Sequence, residues 1–365
     1  MKKGNSIFGG IIAGIILVIG GIGLLWWNEG RTVKTQQGID EAKSNFIQVK
    51  SDKINSKNDN KLIATNGKLD LSDSEELVDE DFNIKVQSAK MERVVEMYQW
   101  TESCTTDEDN HENCTYKKEW EDSLVDSSDF KQSNSHTNPS SMPYEGIVYT
   151  AENVKMGEFI LPESLLKTLS TKKEKKTSEL EEEFNNEIEG YNIDGKYITD
   201  SSNIDKPEIG DIRVSFKYND ADSVSVLAVQ TSDTLTEYTS KNGTKIYRLK
   251  EGIHQGDAII QDLTDENQTL KWILRLVGAL LVIFGIASIL SPLSKLTGFI
   301  PIVGNVVSFA TALVSFLLGT AISLIVIAIA WLRFRPLLSI GLLVVVVIII
   351  VILLTLKKKK TKSAE

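Results

Sequence analysis

The chain has 365 residues, of which 42% are hydrophobic and 25% are charged, and its formal net charge is −10. Residues 28–270 hold 28 Lys and Arg against 49 Asp and Glu, a net −21, whereas the rest of the chain holds 12 against 1, a net +11. An acidic polar block between basic, apolar ends is typical of an integral membrane protein and excludes a soluble cytosolic enzyme. The acidic block also repels phosphates, which excludes nucleic-acid binding by this region.

Four apolar stretches are long enough to cross a bilayer as helices, which takes about 20 residues. They are residues 7–27, 271–290, 302–332 and 336–356. The first has a basic start like that of a signal peptide, but it is long and no cleavage site of small residues follows, so an uncleaved anchor is favoured. Pro292, Pro301 and Pro336 are expected near helix boundaries, where a missing N–H matters little.

An even number of spans puts both chain ends on the same side of the membrane. The segments 1–6 and 357–365 are basic, as is Lys295 between the second and third spans, whereas Arg333 and Arg335 fall on the opposite side. Because positive loops stay in the cytoplasm, both termini are predicted to be cytoplasmic. The block 28–270 is then lumenal or extracytoplasmic.

Small residues recur at helical spacing in the first and third spans, and such residues let membrane helices approach closely. The candidate packing residues are Gly10, Gly14, Gly304, Ser308, Ala312, Ser315, Gly319 and Ser323. Arg275 lies about a turn inside the second span and is expected to extend its guanidinium to the interface. No pair of buried charges is evident in the spans, so an ion pathway is not predicted.

The acidic block reads as an α+β domain with mainly antiparallel sheet. Residues 212–218 alternate strictly between apolar and polar, and residues 223–230 follow a short turn, which predicts a hairpin. A second hairpin is predicted for residues 235–238 and 244–249 around Asn242–Gly243. Strands are also expected at 84–103 and 115–122.

Two helices are predicted in or next to this block. Pro162 and an apolar face of leucines predict a helix over residues 162–186, with the charge run 171–183 on a solvated face or in a mobile insert. Residues 257–272 show a helical pattern that leads directly into the second span. We therefore expect one continuous helix there.

The chain has two cysteines, Cys104 and Cys114, which flank an acidic turn between two predicted strands. On the oxidising side of a membrane this placement predicts one disulfide at a hairpin tip. The alternatives are two free thiols, or a metal site that includes His111, although zinc prefers four ligands at tighter spacing. Asp107–Asp109 lack the Gly and Glu positions of a calcium-binding EF-hand loop, so a solvated turn is favoured.

No catalytic or cofactor-binding motif is evident, so no enzyme, cofactor or metal site is predicted. The three histidines are His111, His136 and His254. His136 lies in HTNPSSMP, a loop rich in turn-forming residues, and is favoured as a histidine that bonds to backbone rather than as part of a site. A membrane hydrolase would require a Ser or Cys within hydrogen-bond reach of a histidine.

Several strings of the sequence together resemble the LUMA family, also called the transmembrane protein 43 family. They are WWNEGR (26–31), MYQW (97–100) with Trp120, HTNPSSMP (136–143), PEIGDIRVSFKY (207–218) and WLRFRP (331–336), and their order matches as well. The resemblance covers nearly the whole chain. The run 171–183 and the pair Cys104 and Cys114 are features of this chain that do not match the animal pattern.

The resemblance implies a multi-pass membrane protein with no catalytic residues to carry over. In a eukaryote it implies the endoplasmic reticulum and inner nuclear membrane, with self-association and organisation of membrane protein complexes, including lamins and emerin. In a bacterium it implies the cell membrane. The leading hypothesis is thus a non-enzymatic scaffold that binds the lipid bilayer, other copies and other membrane proteins. The alternative is a cation- or ligand-sensing protein, because a charge of −21 beside a membrane attracts divalent cations.

Overall fold

A computed structural model describes residues 2–106, 112–184, 190–297, 301–336 and 340. The chain forms two compact units. We call the first the helical unit, which falls within Met1–Ser44, Thr239–Lys245 and Ile260–Glu365, and the second the sheet domain, which comprises Asn45–Tyr238 and Ile246–Ile259. The acidic block 28–270 therefore does not coincide with the sheet domain, because both of its ends lie in helices of the first unit.

The helices of the described residues are α1 (Lys2–Asn45), α2 (Glu163–Leu166), α3 (Thr177–Glu183), α4 (Gly256–Thr297) and α5 (Pro301–Phe334). Three of them, α1, α4 and α5, are long and apolar enough to cross a membrane. The structure thus describes three spans where four are predicted. The fourth predicted span, 336–356, lies outside the described residues except for positions 336 and 340.

The membrane helices extend well beyond their apolar stretches. α1 continues through polar residues to Asn45, and α4 begins at Gly256, which confirms the continuous helix predicted to enter the second span. Pro292 lies inside α4 rather than at its boundary, so that prediction is wrong. A proline removes one backbone N–H, and a membrane helix tolerates this loss more readily than a helix in water.

The strands of the described residues are short except for β2, β5, β6, β13 and β14. They are β1 (Ile47–Gln48), β2 (Leu62–Asp70), β3 (Leu77–Asp79), β4 (Ile84–Val86), β5 (Lys90–Thr106), β6 (Glu112–Glu121), β7 (Ile147–Thr150), β8 (Lys155–Met156), β9 (Phe159–Ile160), β10 (Lys173–Glu174), β11 (Asn192–Asp194), β12 (Tyr197–Thr199), β13 (Ile212–Tyr218), β14 (Ser223–Thr231), β15 (Thr234–Thr236), β16 (Tyr238–Thr239), β17 (Lys245–Ile246) and β18 (Arg248–Glu251). The prediction of a sheet-rich domain is confirmed.

Two seven-stranded sheets form the body of the sheet domain. One has the order β15-β14-β2-β8-β9, with β1 also on β2 and β18 also on β14. The other has the order β11-β12-β13-β5-β6, with β10 also on β13 and β7 also on β5. Ile63 and Val226 from the first sheet join Met91, Val214 and Phe216 from the second in one buried cluster, so the core lies between the sheets.

The predicted hairpin of residues 212–218 and 223–230 is wrong, although both strands exist. β13 pairs with β5 and β12, whereas β14 pairs with β2 and β15 in the other sheet. The turn between them therefore carries the chain from one sheet to the other. β14 buries five consecutive residues, 224–228, because both of its faces are covered. The pairing around Asn242–Gly243 is confirmed only for β16 and β17, which have two residues each. The rest of that hairpin is wrong, because β15 and β18 pair with β14.

The helix predicted over residues 162–186 is also wrong. Its two ends are helical, as α2 and α3, but Lys173–Glu174 form β10 and pair with Tyr218 and Lys217 of β13. Leu165, Leu166 and Leu169 are buried as expected. The intervening chain gains more by adding a strand to β13 than by presenting a charged helix face to water, and this tertiary pairing overrides the local helical pattern.

Candidate functional site: a buried polar cluster in the helical unit

Glycines bring the backbones of α1 and α4 into direct contact. A Cβ atom at Gly14 would lie 2.6 Å from the carbonyl oxygen of Gly285, and one at Gly21 would lie 2.8 Å from that of Gly278. The two pairs are seven residues apart on each helix, so the helices run antiparallel in a constant register. Only glycine permits this approach, as in other membrane helix contacts.

α5 packs through a stripe of small residues. A Cβ atom at Gly319 would lie 2.6 Å from Cγ1 of Ile283 on α4, and Ser315, Ser323 and Ala330 are buried. The serine hydroxyls donate to the backbone carbonyls of Thr311 and Gly319 within their own helix. These side chains therefore satisfy their polar atoms without leaving the packed face.

The predicted packing residues divide into three groups. Gly14, Gly319 and Ser323 lie in helix contacts, as does Ser315. At Gly10 no heavy atom lies within 4 Å of a Cβ, and Ala312 is exposed, so a packing role of these two residues, which could be between copies, stays a prediction. Gly304 and Ser308 lie in α5, but their surroundings fall outside the described side chains.

A buried carboxylate connects all three membrane helices. The side chain of Glu29 on α1 is fully buried, and its Oε1 accepts a hydrogen bond from Nε of Arg275 on α4 at 2.6 Å. Its Oε2 accepts one from the indole N–H of Trp331 on α5 at 3.0 Å. The guanidinium of Arg275 also lies over the rings of Trp272 and Trp331, at 4.7 and 5.7 Å from their centroids.

A second layer of polar contacts continues the register of the glycine pairs. The Asn28 amide donates to the backbone carbonyl of Lys271 at 3.0 Å, and the Asn267 amide donates to the carbonyl of Thr32 at 3.1 Å. Nη1 of Arg31 donates to Oδ1 of Asn267 at 3.2 Å. The two layers together, Asn28, Glu29, Arg31, Thr32, Asn267, Lys271, Arg275 and Trp331, are here called the polar cluster.

The polar cluster corrects two sequence-based expectations. Arg275 does not extend to water, because its side chain is only 10% exposed and pairs with Glu29. A buried charge pair is therefore present among the spans. The pattern analysis missed it because Glu29 follows the apolar stretch and looks like an interfacial residue. The antiparallel contact of α1 and α4 brings it opposite Arg275.

Two of the strings that carry the family resemblance meet at this place. Gly30 of the first string lies against Phe334 of the last, so closely that a Cβ would come within 2.8 Å of its ring, and Trp26 packs edge-on against the same ring at 5.6 Å. Glu29 and Trp331 belong to the same two strings. The residues that carry the resemblance in these two strings thus connect α1 with the C-terminal end of α5.

The polar extension of α1 contacts the turn that joins β16 and β17. A Cβ at Gly38 would overlap the side chain of Thr244, and the Asn242 amide donates to the carbonyl of Lys34 at 2.7 Å. The Glu41 carboxylate accepts from the backbone N–H of Lys241 at 3.2 Å. The Asn242–Gly243 turn is therefore part of the helical unit.

In the sheet domain, Cys104 and Cys114 are directly opposite each other on β5 and β6 and are joined by a disulfide. Glu102 lies close enough to both sulfur atoms for the three to resemble a metal-binding group. In the bridge, however, neither sulfur is a thiolate, which is the form that binds zinc. His111 and the acidic residues Asp107–Asp109 lie outside the described residues.

The ring of His136 stacks on Tyr116 at 3.8 Å and meets the edge of Trp100 at 4.5 Å. Its Nδ1 lies 3.0 Å from Oγ of Ser135 and 3.2 Å from the carbonyl oxygen of Gln132. A serine therefore lies within hydrogen-bond reach of this histidine, and which of the two donates depends on the tautomer of the ring. The described contacts of His136 are those of a loop histidine.

Asn138 closes this loop against β5. It accepts from the Trp100 N–H at 2.7 Å and donates to the Trp100 carbonyl at 2.9 Å, while Pro139 lies 3.2 Å from the position of a Cβ at Gly210. Gly210 has φ +100°, a conformation that favours glycine. Residues from three further strings of the resemblance, 97–100, 136–143 and 207–218, therefore contact one another beside β5.

A buried ion pair in the sheet domain was not predicted from the sequence. Arg93 and Asp79 are 2% and 0% exposed and lie 2.9 Å apart, and Tyr149 donates to Asp79 at 2.8 Å. Burial raises the pKa of Tyr149, and the bonded Asp79 carboxylate raises it further. The available signal was the alternation of β5, which places Arg93 on the core-facing side between Met91 and Val95.

Comparison with known proteins covers nearly the whole chain. The family profile described as Transmembrane protein 43 matches residues 97–336. Transmembrane protein 43 of Mus musculus is 29% identical over 357 residues, covering 92% of this chain and 87% of its own length, and that of Homo sapiens is 28% identical over the same coverage. A Transmembrane protein 43 homolog of Drosophila melanogaster is 27% identical over 350 residues, or 91% of this chain and 90% of its own. No solved structure matches the chain. The chain therefore belongs to the transmembrane protein 43 family.

Proposed function

We propose that this chain is a non-enzymatic membrane scaffold that self-associates and organises membrane protein complexes. The observation that carries the proposal is the buried Glu29 carboxylate, which binds Arg275 of α4 and Trp331 of α5 at the same time. It joins helices from the two ends of the chain. A scaffold needs such a fixed membrane part if it is to hold partners in constant positions.

The chemistry of the polar cluster supports a structural role. The carboxylate oxygens of Glu29 are both occupied by donors from other helices, and the amides of Asn28 and Asn267 bond to helix backbone. A catalytic acid or base needs a free position for substrate, and a nucleophile needs an adjacent base. These groups instead bond to one another, as groups do when they fix helix packing in a membrane.

The surface of α5 supports self-association. Phe309, Phe316, Leu317 and Leu324 are each more than half exposed, so they face lipid or another membrane protein. In a eukaryotic host the proposal places the protein in the endoplasmic reticulum and inner nuclear membrane, and in a bacterium it places it in the cell membrane, with both termini cytoplasmic.

Crosslinking in native membranes tests the proposal. We expect amine-reactive crosslinkers of graded length to trap dimers and larger species of the full chain, and affinity capture to recover other membrane proteins with it. As a control, the purified chain is reconstituted with increasing amounts of lipid, because random collisions fall with dilution whereas specific contacts persist. Monomers at every crosslinker length, together with no recovered partner, would refute the scaffold function.

A further inference from the structure

The polar cluster holds more positive than negative charge. Arg31, Lys271 and Arg275 are cationic, and Glu29 is its one carboxylate. Lys271 and Arg275 are 8% and 9% exposed, so water screens their charges poorly. Buried positive charge of this kind calls for an anionic partner.

Two guanidinium nitrogens of the cluster are donors with no acceptor among the described residues. Nη2 of Arg275 and Nε of Arg31 are buried and have no hydrogen-bond partner among the described residues. A buried donor without an acceptor costs about 1–3 kcal/mol, and more when it is charged. Arg275 already uses Nε for Glu29, so its Nη2 is the donor available to a further anion.

The location of the cluster limits the anions that can reach it. It lies where the apolar stretches of α1 and α4 end, and indoles surround that level: Trp26, Trp27 and Trp272 are 40%, 56% and 62% exposed. Exposed tryptophans of membrane helices lie at the level of the lipid headgroups. The anion most abundant at that depth is the phosphate of a phospholipid.

We infer that the polar cluster binds the phosphate of an anionic glycerophospholipid, with Arg275 as the buried hydrogen-bond donor and Lys271 as a source of positive charge. Guanidinium and phosphate match in geometry and form charge-assisted hydrogen bonds. Basic groups between membrane helices bind lipid headgroups in the same way. The lipid would neutralise the cluster and cover the point where α1, α4 and α5 meet.

The test measures which lipids the purified full chain retains. The chain is equilibrated in detergent with equal amounts of phosphatidylglycerol and phosphatidylcholine, and bound lipid is counted by native mass spectrometry. We expect wild type to retain phosphatidylglycerol preferentially. Lys271→Gln removes one charge and is expected to lower this preference about fivefold, which corresponds to about 1 kcal/mol per basic residue.

Arg275→Lys and Lys34→Gln complete the design. Arg275→Lys keeps a charge beside Glu29 but removes the guanidinium donor, so we expect a loss of preference, whereas Lys34→Gln removes an exposed charge from α1 outside the cluster and should leave it unchanged. Size-exclusion chromatography checks that each variant folds. If Arg275→Lys does not fold, Lys271→Gln alone tests the inference. Equal retention of both lipids by wild type, or an unchanged preference in folded Lys271→Gln, would overturn the inference.

A separate arm distinguishes a lipid headgroup from soluble phosphate. Inorganic phosphate is added at millimolar concentration in place of phosphatidylglycerol, and thermal unfolding is followed in both cases. We expect the lipid alone to raise the melting temperature. An equal rise with inorganic phosphate, or displacement of phosphatidylglycerol by it, would show that the site takes a soluble anion and would reject a lipid as its ligand.

Discussion

At the scale of single residues, the two units bury charge in the same way. Glu29 in the helical unit and Asp79 in the sheet domain are fully buried carboxylates, and each faces one buried arginine and one aromatic donor. Burying such pairs brings little net stability, but removing one partner leaves an uncompensated charge. The main contribution of Glu29 and Asp79 is therefore specificity of packing.

Substitution of Glu29 tests this at one position. Glu29→Leu leaves the Arg275 guanidinium buried without its carboxylate, so we expect a loss of about 3–5 kcal/mol in stability. Thermal unfolding of the full chain in nanodiscs measures the effect. The double variant Glu29→Leu with Arg275→Leu removes both charges and should recover most of the loss, and Asp40→Asn on the exposed side of α1 is the matched control. A single variant as stable as wild type would contradict the packing role.

The pH dependence of the sheet domain has a contribution from Glu251. Burial acts to raise the pKa of Glu251, but hydrogen bonds from the Ser170 hydroxyl and N–H outweigh it and the pKa lies below 4.5. A lowered carboxyl pKa stabilises the fold above pH 4.5, and the gain is lost as the pH falls through the folded pKa. We expect Glu251→Gln to lower the melting temperature most near pH 7 and least at acid pH. Substitution of the exposed Glu158 by Gln is the control. If the melting temperatures of wild type and Glu251→Gln differed more at acid pH than near pH 7, the predicted pH dependence would be contradicted.

The sequence predicts a residue's partner only where the two residues lie close together in the chain. The pairing of Cys104 with Cys114 rests on a local signal, because their flanking strands place them opposite each other, and a thiol-labelling assay can check the bridge. Glu29 and Arg275 are 246 positions apart, so no local pattern connects them. Arg93 does have a local signal, since it stands between Met91 and Val95 on the core-facing side of β5.

At the scale of elements, strands were predictable but their partners were not. Period-two alternation predicts β13, where the buried Ile212 and Val214 flank the less buried Arg213. Strand was also predicted over residues 84–103, where β4 and most of β5 lie. Chain proximity then suggested a hairpin of β13 with β14, which the two-sheet arrangement overrides. The helix predicted across the charge run 171–183 is wrong for a similar reason. α3 does form in this run, but Lys173 and Glu174 form β10, which is stabilised by pairing with β13 rather than by its own residues.

The glycine contacts of α1 allow a matched comparison. Gly14→Ala would place a Cβ 2.6 Å from the Gly285 carbonyl oxygen, so the helices must move apart, whereas a Cβ at Gly23 has no heavy atom within 4 Å. We expect Gly14→Ala to cost about 1–3 kcal/mol, as overpacking of a tight contact does. Gly23→Ala should cost nothing. Thermal unfolding in nanodiscs compares the two, and equal behaviour would mean that α1 and α4 do not meet at Gly14.

At the scale of the whole molecule, composition was the most informative feature. The separation of charge into a −21 block and +11 ends identified a membrane protein before any element was assigned. Family membership followed from strings spread along the chain, and it is shown by the profile match over residues 97–336. The division into units was less predictable, because α1 and α4 continue as helices beyond the point where their composition turns polar.

The membrane arrangement rests on spans counted from composition. Three are helices among the described residues, and the fourth, residues 336–356, is a prediction. With four spans the two termini share one side of the membrane, which we propose is the cytoplasmic side, whereas with three they would be on opposite sides. The position of the C-terminal tail relative to the sheet domain therefore tests the scheme as a whole.

Protease protection in sealed membrane vesicles with their cytoplasmic face outward makes this measurement. The full chain carries one epitope tag at each terminus, and an antibody against the sheet domain follows the remainder. We predict that added protease removes both tags and leaves a protected fragment that contains the sheet domain until detergent opens the vesicles. Digestion of the sheet domain in intact vesicles, or protection of the C-terminal tag, would contradict the arrangement.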